Sequence, residues 1–265
     1  MEMLFNEHRW ISDQKKANYL KLLLLKDDLK YFHNMLSLEA KDSDSWIAKL
    51  RNTRQVFLIL NNVQDMAHKV NLRGSEEYIA QTRQLRKTLS FINHFRNKAV
   101  GHLDKTLFER AVQWHPMLFS SEFKKYDECQ IMEGNRAVIE ASINSFLDEE
   151  GIQKIFRTEI DLMYPPDFNI FYEYLWKAVT ESIDWLSLSL SIASSEIKYH
   201  DQNEIFEIAA VAGLTEFDLK KESKYDYNEI EYNETIKKTM NKLQEKRIKK
   251  EVIDFIKKNI THDAS

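Results

Sequence analysis

The sequence predicts an all-α protein, and three observations carry that prediction. Its 265 residues include only five glycines and three prolines, whereas sandwiches and α/β folds need many more of both for their turns. Apolar residues recur every three or four positions over long segments, which is typical of helices with one buried face. Charged residues make up 30% of the chain and are mixed in sign. They fill the positions between the apolar ones, as solvated helix faces require.

The first three helices follow from this spacing. We predict an amphipathic helix over 13–39, with apolar positions at Leu22, Leu25, Leu29, Phe32 and Leu36. A second helix begins after Asp42-Ser43-Asp44, whose side chains are suited to capping, and runs to about Val70. Its apolar face comprises Leu50, Thr53, Phe57, Leu60, Gln64 and Ala67. Arg73-Gly74-Ser75 makes the next break, and Ser75 is predicted to cap a third helix.

The middle of the chain is less regular. We predict a short helix between Lys105 and Pro116, irregular structure over Met117–Glu133 and a helix over Asn135–Leu147. Pro165 marks a firm boundary, because the residue before a proline is pushed out of helical conformation. Beyond it one long helix is predicted, with apolar positions at Phe168, Tyr172, Leu175, Val179, Ile183, Leu186, Leu190, Ala193 and Ile197. The alternation Leu186, Leu188, Leu190, Ile192 leaves a strand as the alternative there.

After His200 the composition changes. We predict a short helix over Gln202–Ala212, a loop to Asn228 and a last amphipathic helix over Glu229–Asn259 that is rich in lysine. The ordinary interpretation of such a helix is a charged outer face, and the sharper one is a surface that docks a protein or RNA.

Composition excludes several function classes. The formal net charge is −4, so no overall field marks a nucleic-acid-binding protein and any RNA contact must be local. The single cysteine, Cys129, excludes an internal disulfide and is interpreted as a packed side chain. The histidines lack metal-ligand spacing and no phosphate-binding glycine loop is present, so we predict neither a metal nor a cofactor.

Targeting segments are not predicted either. The N-terminal residues Met1–Glu7 carry acids and no continuous apolar run, unlike a secretory signal. No apolar run approaches the ~20 residues that a membrane span requires. We therefore expect a soluble cytoplasmic protein without a membrane partner.

The third helix ends in the most unusual stretch of the chain, Phe91 to Asp104. Residues three or four positions apart share one face of a helix. Here that face comprises Thr82, Leu85, Leu89, Ile92, Arg96 and Ala99. Arg96 thus stands where a core residue is expected, and its guanidinium needs a partner. His102 would lie about 120° around the helix from Arg96, so the two converge only if the helix bends or ends between them. Gly101 allows this, since glycine ends helices most cheaply in left-handed conformation.

This stretch resembles the Arg-polar-x(3 to 5)-His signature of the HEPN superfamily, helical-bundle proteins that include many metal-independent endoribonucleases. The matching residues are Arg96, Asn97 and His102. The resemblance implies a HEPN-like bundle of long antiparallel helices over residues 1–200, with additional C-terminal helices in an extension over 201–265. A second pair at similar spacing, Arg110 and His115, lacks the polar residue after the arginine and is followed by Pro116, so we interpret it as a helix end.

The resemblance also implies a reaction. RNA would be cleaved through its own 2′-hydroxyl, leaving a 2′,3′-cyclic phosphate and a 5′-hydroxyl. His102 would transfer protons and Arg96 would bind the phosphate. Asn97 would orient the phosphate or His102, and Asp104 is a further candidate for orienting the histidine.

Family habit implies partners and a role as well. The motif usually lies in a cleft between two protomers, so a homodimer is expected. A role in phage defence or as a toxin follows by the same habit, with an antitoxin-like or regulatory protein as a possible partner.

Two interpretations stay open for the basic residues of the third helix. The basic side chains Arg83, Arg86, Lys87 and Lys98 either complement the helix dipole on a solvated face or form a phosphate track that leads RNA toward Arg96. His94 is interpreted as a structural or surface residue. The competing function is a non-catalytic helical interaction or regulatory protein of the same fold, in which Arg96 pairs with an acid and His102 caps a helix end.

Overall fold

The protein is all-α, as predicted. A computed structural model describes residues 2–70, 72, 74–101, 103–122, 127–202, 205 and 217–219, with side chains from residue 13 onward. Among these residues the only extended pairing is one isolated bridge between Leu147 and Gln153. The helices are α1 Glu2–Ser37, α2 Ser43–Lys69, α3 Glu76–Thr88, α4 Ile92–Phe95, α5 Lys105–Trp114, α6 Asp127–Asn144 and α7 Pro165–Glu196.

The chain divides into two compact units. One comprises Asp13–Ile197, and the other comprises Met1–Ser12 with Lys198–Ser265. The predicted last helix, Glu229–Asn259, lies outside the described residues, as does most of the predicted helix Gln202–Ala212. Within the described ranges, no helix combines the length and the apolar character needed to cross a membrane.

The predicted start of the first helix, near residue 13, is wrong: α1 already begins at Glu2, since no glycine or proline interrupts the chain before Asp13. The predicted starts of α2, α3 and α7 are confirmed. Asp42 accepts a hydrogen bond from the Ser45 amide at 2.8 Å, and the Ser45 hydroxyl accepts one from the Asp42 amide at 3.0 Å, so a capping box begins α2. Ser75 accepts the Tyr78 amide at the start of α3. Pro165 occupies the first position of α7, where its missing N–H costs nothing.

The helices α6 and α7 differ from two of the expectations for the second half of the chain. The irregular structure predicted up to Glu133 is wrong from Asp127 onward, because α6 already begins there. Two acids in its first turn, Asp127 and Glu128, complement the helix dipole and offset the weak apolar spacing of this segment. The alternation near Leu188 belongs to the uninterrupted helix α7, so the strand alternative fails.

An aromatic cluster forms the centre of the Asp13–Ile197 unit. Phe57 of α2 is fully buried. It stacks on Phe95 with ring centroids 3.7 Å apart and on Phe171 of α7 at 6.4 Å, and the edge of Phe91 meets it at 6.0 Å. Helix α3 packs on α7, and α6 packs on both α2 and α5. The aromatic cluster joins α2 and α7 to the segment that follows α3, because its rings come from all three.

We expect Phe57→Ala to lower the free energy of unfolding by about 3–5 kcal/mol, since it removes a fully buried ring from a packed cluster. Urea unfolding followed by circular dichroism measures this. Phe119→Ala is the matched control, because the Phe119 side chain is 71% exposed and its loss should change stability by less than ~0.5 kcal/mol. Equal effects of the two substitutions would contradict the described core.

Candidate functional site

The candidate site begins where the third helical segment changes its winding. Helix α3 is followed by a 3₁₀ turn over Leu89–Phe91 and then by α4. The next residues, Arg96–Val100, form a π turn. Its defining bond runs from the Gly101 amide to the Arg96 carbonyl oxygen, five residues earlier, at 2.7 Å. Single π turns within helices are rare and often coincide with functional sites.

The helical segment ends here, as predicted, but by a different backbone conformation. Gly101 has φ −75° and ψ −36°, ordinary right-handed values, so its predicted left-handed conformation is wrong. Leu103 has the positive φ instead, at 47°, although its Cβ makes that region costly. The Asp104 amide donates to the Lys98 carbonyl oxygen at 3.0 Å and closes the reversal. The wide π turn carries the helical backbone through Gly101 and defers the left-handed residue to Leu103.

The lack of a side chain at Gly101 also leaves space for the side chain of Arg96. A Cβ there would lie 3.2 Å from Arg96 Nε, 3.2 Å from the Arg96 carbonyl oxygen and 3.3 Å from Arg96 Cζ. The arginine side chain therefore folds back against the glycine, and any larger residue at 101 would press on the guanidinium.

Arg96 is half-buried and is held by amides instead of acids. Its Nη1 donates to Asn97 Oδ1 at 2.8 Å, and Asn97 Nδ2 donates to Asn93 Oδ1 at 3.0 Å. No carboxylate of the described residues lies within 4.0 Å of its guanidinium. The structure thus brings the predicted pair Arg96 and Asn97 together, while the predicted His102 lies outside the described residues.

Asp104 and Lys98 bind each other across the reversal. Lys98 Nζ donates to Asp104 Oδ2 at 2.6 Å, and Asp104 Oδ1 accepts the Leu107 amide at 3.0 Å as the N-cap of α5. The hydrogen bond from Lys98 lowers the pKa of Asp104, and the Leu107 amide lowers it further. These two residues therefore fix the start of α5 relative to the π turn.

The other predicted RNA-binding residues lie on α3. Arg83, Arg86 and Lys87 are exposed. Arg86 is not wholly available, because its Nε and Nη2 both donate to the Ala67 carbonyl oxygen near the end of α2. Arg83 and Lys87, the other two, make no such backbone hydrogen bond within the described part of the chain.

His94 lies on the face of α4 that continues toward Lys98. Its Nε2 is 3.0 Å from Ser145 Oγ, and its ring packs against Phe146 with centroids 4.9 Å apart. Burial lowers the pKa of His94, and the positive charge of Lys98 lowers it further. Both effects favour the neutral imidazole. These contacts agree with the structural role predicted for His94.

Arg54 of α2 is a residue that sequence reasoning missed. It donates from Nη2 to the Ala99 carbonyl oxygen of the π turn at 3.3 Å and from Nη1 to Asn135 Oδ1 at 3.0 Å. Its Nε is buried without a hydrogen-bond partner, and burial lowers the pKa of Arg54. Since π turns leave carbonyl groups with poorer partners, this arginine stabilises the turn from a neighbouring helix. No local pattern around Arg54 signals a partner 45 residues away.

The second Arg–His pair separates in space. Arg110 is exposed and donates to Gln113 at 2.8 Å, whereas His115 bonds to the carboxylate of Glu140. Glu140 is fully buried on α6 and also accepts from Trp114 Nε1 at 2.9 Å, from Arg136 Nη1 at 3.0 Å and from the Leu162 amide at 2.9 Å. His115 does mark a helix end, as interpreted. Its buried network was not foreseen, because an acid inside an apolar run gives no sign of its partners.

Comparison with family models, with curated proteins and with solved structures finds no match to this chain.

The lowered pKa of His94 predicts a pH dependence of stability. Above the unfolded value of about 6.5 both states are neutral. Below it the unfolded chain binds a proton before the folded chain does, so the free energy of unfolding falls until the pH passes the lower folded pKa. We expect His94→Gln to flatten the stability curve between about pH 7 and pH 5. Urea unfolding at several pH values tests this, and parallel curves for wild type and variant would refute it.

Proposed function

We propose that this protein is a metal-independent endoribonuclease whose site is centred on Arg96. One observation carries the proposal. The Arg96 guanidinium is fixed by Asn97 against Gly101, and no described carboxylate neutralises it. A half-buried arginine that is positioned but not paired with an acid is suited to an anion such as phosphate.

The strain in the turn supports the same assignment. A π turn and a leucine at positive φ occur within eight residues of each other in the sequence, and both are costly conformations. Such conformations persist where the surrounding structure enforces them, and they concentrate at functional sites. The buried residues Phe95 and Ala99, with Arg54 from α2, supply that enforcement here.

The proposed reaction needs no group beyond the chain and the RNA. A base removes the proton from the ribose 2′-hydroxyl, the 2′-oxygen forms a bond to phosphorus, and the bond from phosphorus to the 5′-oxygen breaks. The leaving oxygen takes a proton, which gives a 2′,3′-cyclic phosphate and a 5′-hydroxyl. Arg96 stabilises the charge on the phosphorane, and His102 transfers protons near neutral pH. Asn97 holds the guanidinium at the required angle.

The partners proposed with this function are RNA and a second copy of the chain. Arg83 and Lys87 are exposed on α3 and can bind phosphates of the same RNA. A homodimer, a role in phage defence or as a toxin, and an antitoxin-like regulator extend the proposal through the resemblance to the HEPN superfamily.

A non-catalytic interaction protein is the second candidate, and one observation favours it. Helix α1 exposes Leu20, Leu23, Leu24 and Tyr31, each at least 44% accessible. Apolar side chains clustered on one helix are typical of a surface that contacts another protein.

The first test is RNA cleavage in the presence of EDTA. We expect wild type to cleave, Arg96→Ala to lose roughly 10²–10³-fold in rate through the lost phosphorane contact, and His102→Ala to lose roughly 10²–10⁴-fold. Initial rates on a labelled RNA measure this, with circular dichroism to establish that each variant is folded.

Arg110→Ala is the matched control for this test, because Arg110 is exposed and its hydrogen-bond partner is Gln113. It should cleave at the wild-type rate. If wild type does not cleave, the interaction protein is favoured. If Arg96→Ala cleaves normally, the site is wrongly assigned.

The second test uses the space at Gly101. Gly101→Ala keeps an allowed backbone conformation but places a methyl group 3.2 Å from both Arg96 Nε and the Arg96 carbonyl oxygen. We expect a folded protein whose cleavage rate falls roughly tenfold to a hundredfold, because a small displacement of a positioned group is enough. Gly134→Ala is the matched control, since its nearest neighbour would be Leu118 Cδ2 at 4.0 Å. Equal rates for the two variants would show that the position of Arg96 does not matter.

A further inference from the structure

A cavity of about 600 Å³ lies between the first turns of α2, α6 and the start of α7. Trp46 and Leu50 of α2 form one wall, Met132 of α6 forms another, and Leu162 and Phe168 close it near the start of α7. The Trp46 and Phe168 rings meet edge to face with centroids 5.7 Å apart. The volume is within the range of sites for small molecules, and the walls are apolar and aromatic.

The polar end of this cavity is formed by Arg136, most of whose donors are already engaged. Nε and Nη2 donate to Glu133 Oε2, Nη1 donates to Glu140 Oε1 at 3.0 Å, and Nη2 lies 3.3 Å from His115 Nδ1. Asp161 Oδ1 is a further 3.6 Å neighbour of Nη1. All three nitrogens of the guanidinium therefore have protein partners, and four of its five N–H donors are engaged by them.

Glu133, in contrast to Arg136, has one oxygen to which no described residue donates a hydrogen bond. Both hydrogen bonds from Arg136 go to its Oε2, and among the described residues no donor binds its Oε1. The side chain is 12% exposed and lines the cavity. One oxygen of a largely buried carboxylate is thus left as an acceptor.

Charge at this end of the cavity is negative. Among the described residues that line the cavity, Arg136 is the only cation, and it is in contact with Glu133, Glu140 and Asp161. Asp42 adds a further carboxylate to the lining, and hydrogen bonds from Ser45 lower the pKa of Asp42. Three acids around one guanidinium, with a fourth at the rim, attract a cation and repel an anion.

We propose that this cavity binds a small organic cation, a primary amine carried on an aromatic or apolar body. The ammonium donates to Glu133 Oε1, and the body packs between Trp46 and the methionines Met132 and Met163, whose flexible side chains adapt to different shapes. Trp46 is the ring available to the cation. Phe168 already has Lys49 Nζ 5.9 Å from its centroid, and Lys49 lines a different cavity.

This binding site stands apart from the proposed nuclease. It uses Trp46, Glu133 and their neighbours, none of which belongs to the π turn. Binding can therefore be measured on a protein that cleaves no RNA, and cleavage can be measured on a protein that binds no amine.

The test compares two probes of one shape and opposite charge by isothermal titration calorimetry at neutral pH. Tryptamine carries an ammonium on an indole, and indole-3-propionate carries a carboxylate on the same ring. We expect tryptamine to bind at least tenfold more tightly. Indole-3-propionate binding as tightly as tryptamine, or no binding of millimolar tryptamine, overturns the proposal.

Variants locate the site. Trp46→Ala should weaken tryptamine binding at least tenfold, whereas Trp176→Ala, which removes a tryptophan from the different cavity, should leave it within twofold. Met163→Lys adds a positive charge at a 65% exposed residue of the lining and should also weaken binding at least tenfold. Met117→Lys, at a 60% exposed methionine outside this lining, is its control. Because Met163 is exposed, this variant tests the site even if Trp46→Ala fails to fold. Unchanged affinity in Met163→Lys places the amine elsewhere and overturns the proposal.

Discussion

The hydrogen bond from the Gly101 amide to the Arg96 carbonyl oxygen decides how the third helical segment ends. It spans five residues, so one extra residue is accommodated in the last turn before the chain reverses. Ala99 stays in the core at the same point, while the Arg96 side chain lies against Gly101. Arg96 is therefore half-buried at the point where the apolar face of this segment ends, with its side chain against the one residue that leaves room for it.

The sequence predicted the long helices because their signals are local. The apolar spacing around Leu50 and Leu175 and the caps at Asp42 and Ser75 act within one or two turns of the chain. The winding change at Arg96 was not predictable in this way, since it depends on Arg54, a residue of another helix. The left-handed leucine was also missed, because glycine is the residue that propensity favours for that conformation. Local rules thus located the break in the helix but assigned it the wrong geometry.

The candidate site was predicted in part for the same reason. Spacing singled out Arg96 and Asn97, and the structure joins them by a hydrogen bond. Spacing could not show which arginines are neutralised, since that depends on acids brought in by the fold. Arg136 contacts three carboxylates, whereas Arg96 contacts none among the described residues. The charge of Arg136 is therefore balanced within the fold, whereas that of Arg96 has no carboxylate partner among the described residues.

Helix α6 connects these two environments through adjacent residues. Asn135 accepts a hydrogen bond from Arg54, which in turn binds the π turn, while Arg136 forms the polar end of the cavity beside Glu133. Neighbouring residues on a helix point about 100° apart, so one helix can serve both without the two sets of contacts meeting. A change in the position of α6 would move Arg136 and, at the same time, the Asn135 acceptor of Arg54. A substitution that moves this helix is thus expected to alter both sites, whereas the side-chain changes at Gly101 and Met163 each alter one.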